Sequence, residues 1–357
     1  MNNSLLSDLS HKTGSAIFKA ILAAVLYGIS SPVSKVLITK IPPTMMAACL
    51  YLGAGIGMFL LNGFLKKVHK ESTEAQITRK ELPYVVGMII LDILAPIFLM
   101  FGLLMTNAAN VSLLNNFEIV ATSLIAMFAF KESIDRRMWL AIILITISSF
   151  ILSFDAINEI SFSIGSVLVI MACICWGLEN NCTRMLSIKD PKQIVVIKGI
   201  GSGIGALIIS VAIQEYSTDL LYISIALILG FVAYGLSIFF YISAQRELGA
   251  ARTSTYYAAA PFVGVFASWL FLKEMPSLTF LLALAIMLTG TYFAISEKHG
   301  HKHHHHEEEH EHKHDHKDGH HNHAHEYDVD EHSHPHTHEE LEHEHDHTPD
   351  LHHRHSH

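Results

Sequence analysis

The chain has 357 residues, and its formal charge of −9 averages over two unlike parts: residues 299–357 hold 25 of the 27 histidines and carry −12, whereas residues 1–298 carry +3. That tail has only five apolar residues, so the remainder is about 58% apolar, against roughly 45–50% in soluble proteins. An ordinary soluble two-domain enzyme is thereby excluded, and four cysteines in so long a chain exclude a disulfide-built secreted module.

Residues 1–15 are polar and read as a short leading segment on the cytosolic side. The apolar run behind them is too long for the core of a signal peptide and offers no small-residue cleavage site, so it reads as a retained helix. Ten such runs follow one another: residues 16–38, 43–65, 83–105, 108–130, 137–154, 161–183, 193–213, 221–243, 252–271 and 278–296. A helix needs about 20 residues to cross roughly 30 Å of hydrocarbon. Lipid offers no partner to an unpaired backbone amide, so runs of this length imply helices; the short alternating strands of a membrane barrel are absent. The expected fold is an all-α polytopic membrane protein with ten transmembrane helices. Basic residues orient it. Sixteen Lys and Arg fall at the amino end, in the even-numbered breaks and just after the last run, against Lys35, Lys40 and Lys273 in the odd-numbered breaks. Both termini are therefore expected on the cytosolic side of the cytoplasmic membrane.

The two halves resemble each other. LYGISSPVSKVL (26–37) lies over CWGLENNCTRML (175–186) at an offset of 149, with Tyr27 on Trp176, Gly28 on Gly177 and Lys35 on Arg184. GAGIG (53–57) matches GSGIG (201–205), and FAFKE (128–132) matches LFLKE (270–274) at an offset of 142. The order is preserved, so residues 16–154 and 161–296 read as two copies of a five-helix unit, followed by a tail from residue 297. An odd number of crossings inverts the second copy. Inverted repeats place a binding site near the bilayer midplane, between the copies, and open it to each side in turn.

These residues, with LLNNFEIVATSLIAMFAFKES (113–133) and YYAAAPFVGVFASWLFLKEM (256–275) in the fourth helix of each copy, resemble the EamA-type permeases of the drug/metabolite transporter superfamily. The resemblance covers nearly all of residues 16–296. It implies ten helices in two repeats and movement of a small solute, mostly outward. Family cargo varies among amino acids, purines, drugs and cofactors, so the resemblance gives the class and not the substrate. One departure is AACLYLGAG (47–55), which has no base where the family often carries an Arg. The tail lies outside the resemblance.

Ionisable side chains at mid-bilayer cost at least ~2.5–3.5 kcal/mol and usually face a bundle interior or a wet cavity. Asp92 sits in the third run, Glu118 in the fourth beside Asn115 and Asn116, Glu179 with Asn180 and Asn181 near the end of the sixth, and Lys198 in the seventh. They are candidate pathway or coupling residues. Asp92 or Glu118 could carry a proton or receive a cationic group of the cargo; a plain helix-holding pair of either with Lys198 is the alternative. Asn115 and Glu118, three apart, are expected on one helix face. Gly53, Gly55 and Gly57, with Gly201, Gly203 and Gly205, fit close helix packing. Pro96 and Pro261 are expected to bend or open their helices. Cys173 and Cys175 face different ways on a helix and cannot grip one metal.

The tail has no apolar face with which to offset the entropy of folding and is expected to be disordered. Its composition is that of a metal ligand. Neutral imidazole suits Zn, Ni, Co and Cu, and most of it is unprotonated at cytosolic pH. The candidate ligands are His301, His303, His304, His305, His306, His310, His312, His314, His316, His320, His321, His323, His325, His332, His334, His336, His338, His343, His345 and His347. No single set of four stands out, so several interchangeable sites are expected.

The leading expectation is an exporter of a small organic or metal-linked solute whose tail buffers or senses transition metal. Direct Zn, Ni or Co transport is the runner-up, although His11 and His69 are the only histidines outside the tail and neither lies in a run. A membrane metal sensor or store comes third. No enzyme is expected, because no nucleophile–base set is visible, and no nucleic-acid partner; a homodimer stays open.

Overall fold

The computed structural model describes residues 3–68, 77–130, 134, 136–153, 163–186, 189–248, 253, 256–295, 300–305, 308–315, 331–338 and 341–346. The first copy consists of α1 (Asn3–Gly28), α2 (Ser30–Leu37), α3 (Pro43–Val68), α4 (Leu82–Met105), α5 (Ala108–Leu114), α6 (Phe117–Phe130) and α7 (Arg136–Ser153). The second has α8 (Ile164–Arg184), α9 (Pro191–Ala212), α10 (Leu220–Gly230), a π-helical turn (Phe231–Leu236), α11 (Ser237–Leu248), α12 (Ala260–Leu272) and α13 (Leu278–Ile295). Among the described residues, nine spans are long and apolar enough to cross a membrane, and the shorter α12 stands where the ninth of the ten is expected. Large apolar side chains face outward: Phe64 is 66% exposed, Phe128 77% and Phe271 70%. So much exposed apolar surface suits acyl chains and not water. The chain is a multi-pass membrane protein.

Several spans expected to be unbroken are interrupted. The first turns at Gly28–Ile29, because Pro32 has no N–H to give the Gly28 carbonyl. The fourth breaks at Asn115–Asn116. There, the N–H groups of Asn116, Glu118 and Ile119 donate to carbonyls three residues back, Leu113, Asn115 and Asn116, at 3.2, 3.1 and 3.0 Å. The Asn116 amide also donates to the Leu113 carbonyl at 3.3 Å, competing with the helix. Asn115 and Glu118 therefore do not share one continuous helix face. In the ninth span residues 253, 256 and 257 are already helical, the chain turns at Ala258–Ala259, and α12 begins at Ala260. Pro261 lies in the first turn of α12, where no N–H is needed, and the span is opened just ahead of it, in line with the local opening expected there. Pro96 lies inside the continuous α4. At the amino end, α1 begins at Asn3, ahead of the apolar span Gly14–Leu37 that α1 and α2 form together.

Packing repeats the sequence duplication. α3 crosses α9, α4 packs along α8 as α11 packs along α1, and α7 packs on α13. At the α3–α9 crossing the glycines remove the side-chain layer. A Cβ on Gly55 would lie 2.5 Å from the Ile200 nitrogen, and one on Gly203 would lie 2.6 Å from the Leu52 nitrogen. Gly53 and Gly57 face Leu227 and Phe231 of the eighth span; their counterparts Gly201 and Gly205 face Ile89 and Ile93 of α4. At each of the six glycines an added Cβ would lie within 3 Å of a neighbouring helix.

In the tail, β1 (Gly300–His305) pairs antiparallel with β4 (Leu341–Asp346), and β2 (Glu308–Asp315) with β3 (Glu331–His338). In β2, β3 and β4 His recurs at every second residue, the two-residue period of a strand, which fits this pairing in a segment expected to lack fixed structure. A lone two-stranded ribbon is marginal in water at best, and these strands have almost no apolar side chain to bury.

Candidate functional site

α4, α8 and α9 converge on a buried charge cluster. The Lys198 ammonium lies 3.1 Å from Asp92 Oδ2 and 3.0 Å from Glu179 Oε2. Asp92 is fully buried and Glu179 is 1% exposed. The Tyr51 hydroxyl donates to Asp92 Oδ1 at 2.8 Å, and Trp176 Nε1 donates to that hydroxyl at 3.3 Å. Thr183 donates to Glu179. Lys198 thus pairs with Asp92, as one sequence alternative has it, and holds Glu179 as well.

Glu118, in the first turn of α6 just past the break, stands apart. Among the described residues it makes no ion pair; Asn180 Nδ2 donates to its Oε1 at 2.6 Å and to Thr122 Oγ1 at 3.2 Å. Asn181 braces the Thr122 and Gly177 carbonyls. Asn115 keeps its Oδ1 buried without a donor, and Asn116 is spent on its own turn.

Opposite lies a set of tyrosines that the sequence reading passes over. Tyr27 sits beside the first break, Tyr234 in the π-helical turn, Tyr241 in α11 and Tyr257 just ahead of the turn at Ala258–Ala259 that precedes α12. Ring centroids are 5.7 Å apart for Tyr27–Tyr234, 6.0 Å for Tyr27–Tyr257, 5.6 Å for Tyr51–Tyr234 and 4.9 Å for Tyr241–Tyr257. Three of the four helix interruptions contribute a tyrosine here. Interrupted helices are where membrane proteins leave backbone and side chains available to a solute.

The cluster does not follow the repeat. Positions equivalent to Lys198, Asp92, Glu179 and Glu118 hold Leu50, Gly230, Ser30 and Ala260. Where one copy has the Lys198–Asp92 pair, the other has Gly230 packed on the Leu50 backbone. One side of the interface is charged, the other aromatic.

A second polar group closes one end of the bundle. Lys35 Nζ donates to the carbonyls of Leu103 and Thr106, the latter at 2.6 Å, at the end of α4. Lys273 ends α12 in the left-handed conformation (φ 55°) and turns the chain so that the Glu274 carboxylate accepts from the N–H groups of Ala108 and Ala109, both at 3.0 Å. Lys35, Thr106, Asn107, Asn110, Ser163 and Glu274 line a cavity of about 350 Å³. Glu274→Ala is expected to cost about 1–3 kcal/mol by orphaning two helix-end donors. An unfolding temperature in detergent equal to that of the parent protein would refute this capping role.

Among the described residues, no group of three or more His, Cys, Asp or Glu gathers in a metal-holding arrangement. His306, His316, His320, His321, His323, His325 and His347 lie outside the described residues.

Two five-helix units that meet around a polar and aromatic centre, with broken helices facing it, define the class: a polytopic membrane transporter. The chain belongs to the EamA-like transporter family, which matches residues 14–154 and again residues 163–296. An uncharacterized transporter of Methanothermobacter thermautotrophicus is 26% identical over 288 residues, 76% of this chain and 83% of that protein. A solved crystal structure covering 78% of this chain and 95% of its own is similar at a TM-score of 0.57 and 15% identity, a likeness of fold alone.

Proposed function

We propose that the protein is a secondary transporter that exports a small organic solute across the cytoplasmic membrane, with both termini and the tail in the cytosol. The observation that carries this reading is the mid-bundle site: ionisable and aromatic side chains from both copies, enclosed by interrupted helices. Two carboxylates share one ammonium at Asp92, Glu179 and Lys198, so a proton can balance the extra charge, and coupling is assigned there. The test is to compare metabolites released by cells producing the parent protein or Asp92→Asn, then to reconstitute the exported solute in vesicles. A proton gradient is expected to speed its movement with the parent protein and not with Asp92→Asn. No released solute would overturn the transport reading. Movement of Zn²⁺ or Ni²⁺ without organic solute would replace it with direct metal transport.

The tail is proposed to bind transition metal, Zn, Ni, Co or Cu, for buffering or regulation. Its strand register supports this. His301 lies opposite His345, His303 opposite His343, His310 opposite His336, His312 opposite His334 and His314 opposite His332. Directly opposed residues have Cβ atoms about 4.5–5.5 Å apart, close enough for two imidazoles to reach one ion. Removal of residues 299–357 is expected to abolish most Ni²⁺ and Zn²⁺ binding by the purified protein. Undiminished metal content after dialysis would rule out a tail site.

A further inference from the structure

We infer that the protein holds one zwitterionic phospholipid bearing a primary amine, its headgroup between Lys35 and Glu274 and one acyl chain in the cleft between α12 and α13. The site lies outside the mid-bundle cluster, and the lipid is a bound component rather than the cargo, so the inference stands apart from the transport reading.

The headgroup end is the 350 Å³ cavity, which an ammonium and a carboxylate line without pairing. Among the described residues, neither Lys35 nor Glu274 makes an ion pair. Lys35 donates to main-chain carbonyls of Leu103 and Thr106, which orient its ammonium and leave its charge without a counter-ion. Glu274 accepts one main-chain N–H on each oxygen, and each oxygen keeps a lone pair. Both side chains are partly exposed. A ligand that neutralises both must carry both signs: a phosphate suits the ammonium, and a primary amine suits the carboxylate. The Asn110 carboxamide lines the same cavity, free of other hydrogen bonds among the described residues, and adds a donor and an acceptor. Lys35, Thr106, Ser163 and Glu274 all stand at or next to helix ends, the depth of a headgroup.

The acyl end is a second cavity of about 570 Å³. Asn107, Asn110 and Glu274 line both cavities, so the two meet there. Beyond that polar mouth the walls are apolar: Phe262, Phe266 and Trp269 of α12, and Leu281, Leu284 and Leu288 of α13. Phe266, Trp269, Leu281 and Leu288 are exposed, so the cleft opens to the bilayer. From Ser277 to Leu288 it descends about 16 Å at the helical rise. That is one leaflet, half of a hydrocarbon core of roughly 30 Å. A free zwitterion would leave this cleft empty. An anionic lipid would answer Lys35 and set a second negative charge beside Glu274.

The experiment is native mass spectrometry of the full chain from micelles holding equal amounts of phosphatidylethanolamine, phosphatidylcholine and phosphatidylglycerol. One phosphatidylethanolamine per chain is expected to be retained, several-fold over the other two. Leu288→Trp fills the lower cleft without changing polarity and is expected to abolish that retention. Glu274→Gln removes the charge that selects the amine and is expected to bring phosphatidylglycerol level with phosphatidylethanolamine. Phosphoethanolamine without chains is expected to compete poorly; equal competition would remove the cleft from the site. Equal retention of the three lipids by the parent protein, or a preference for phosphatidylglycerol, would overturn the headgroup assignment. Unchanged retention by Leu288→Trp would overturn the location. Unfolding temperature checks each variant; should Glu274→Gln fail to fold, the parent's lipid ranking decides the headgroup and Leu288→Trp decides the cleft.

Discussion

Lys198→Met is expected to destabilise the protein by about 3–5 kcal/mol, the usual cost of leaving buried charge without its partner. Lys198 is the single ammonium between Asp92 and Glu179, at 3.1 and 3.0 Å, and both carboxylates are buried. Methionine keeps most of the volume and removes the charge, so two carboxylates would face one another with only the Tyr51 and Thr183 hydroxyls and no cation. The sign of the pH effect follows. The variant carries excess negative charge, protons neutralise it, and its deficit against the parent should shrink as pH falls. Asp92→Asn is expected to do much less harm to stability, because it leaves Lys198 and Glu179 one to one and an amide oxygen can still accept from Tyr51. Unfolding temperatures across a pH series check both statements. A Lys198→Met protein as stable as its parent at neutral pH, or an Asp92→Asn deficit as large, would show that the triad is not held by its charge balance.

That arrangement was half visible in the sequence. Charged residues in apolar runs announce themselves, so Asp92, Glu118, Glu179 and Lys198 could be singled out, and a pairing of Asp92 with Lys198 could be entertained. Their division into a triad and a solitary Glu118 could not, because it depends on how α4, α6, α8 and α9 pack, and helix faces say nothing about which neighbour arrives. The tyrosines were illegible for a different reason. Aromatic residues are ordinary in membrane spans, and it takes the break at Gly28, the π-helical turn at Phe231–Leu236 and the turn at Ala258–Ala259 to bring Tyr27, Tyr234 and Tyr257 together. Two of the breaks did carry signals: Pro32 four residues after Gly28, and consecutive Asn115 and Asn116 in an apolar run. Ten runs of span length and a preserved order of matches made the architecture readable, since lipid permits few alternatives. In the sequence Glu274 is only the end of the repeated FAFKE/LFLKE match; that it caps α5 is a tertiary fact.

The repeated glycines permit a test in which one substitution type gives opposite signs on one helix. Gly55→Ala is expected to destabilise by about 1–3 kcal/mol, the range for overpacking, and Gly55→Leu by more. The new Cβ at position 55 would lie 2.5 Å from the Ile200 nitrogen and 2.7 Å from the Gly199 carbonyl carbon, and backbone cannot step aside as a flexible side chain can. α3 and α9 would have to separate. α3 carries Tyr51 and α9 carries Lys198, both bonded to Asp92, so separation at the crossing would also loosen the charge cluster. Gly63 lies on the same helix with nothing within 4 Å of its added Cβ. There, Gly→Ala only restricts the unfolded chain and improves helix propensity, so about 0.4–1 kcal/mol of stabilisation is expected. Thermal unfolding of the two alanine variants, measured side by side, decides the matter. Equal shifts at positions 55 and 63 would mean that the copies do not meet backbone to backbone.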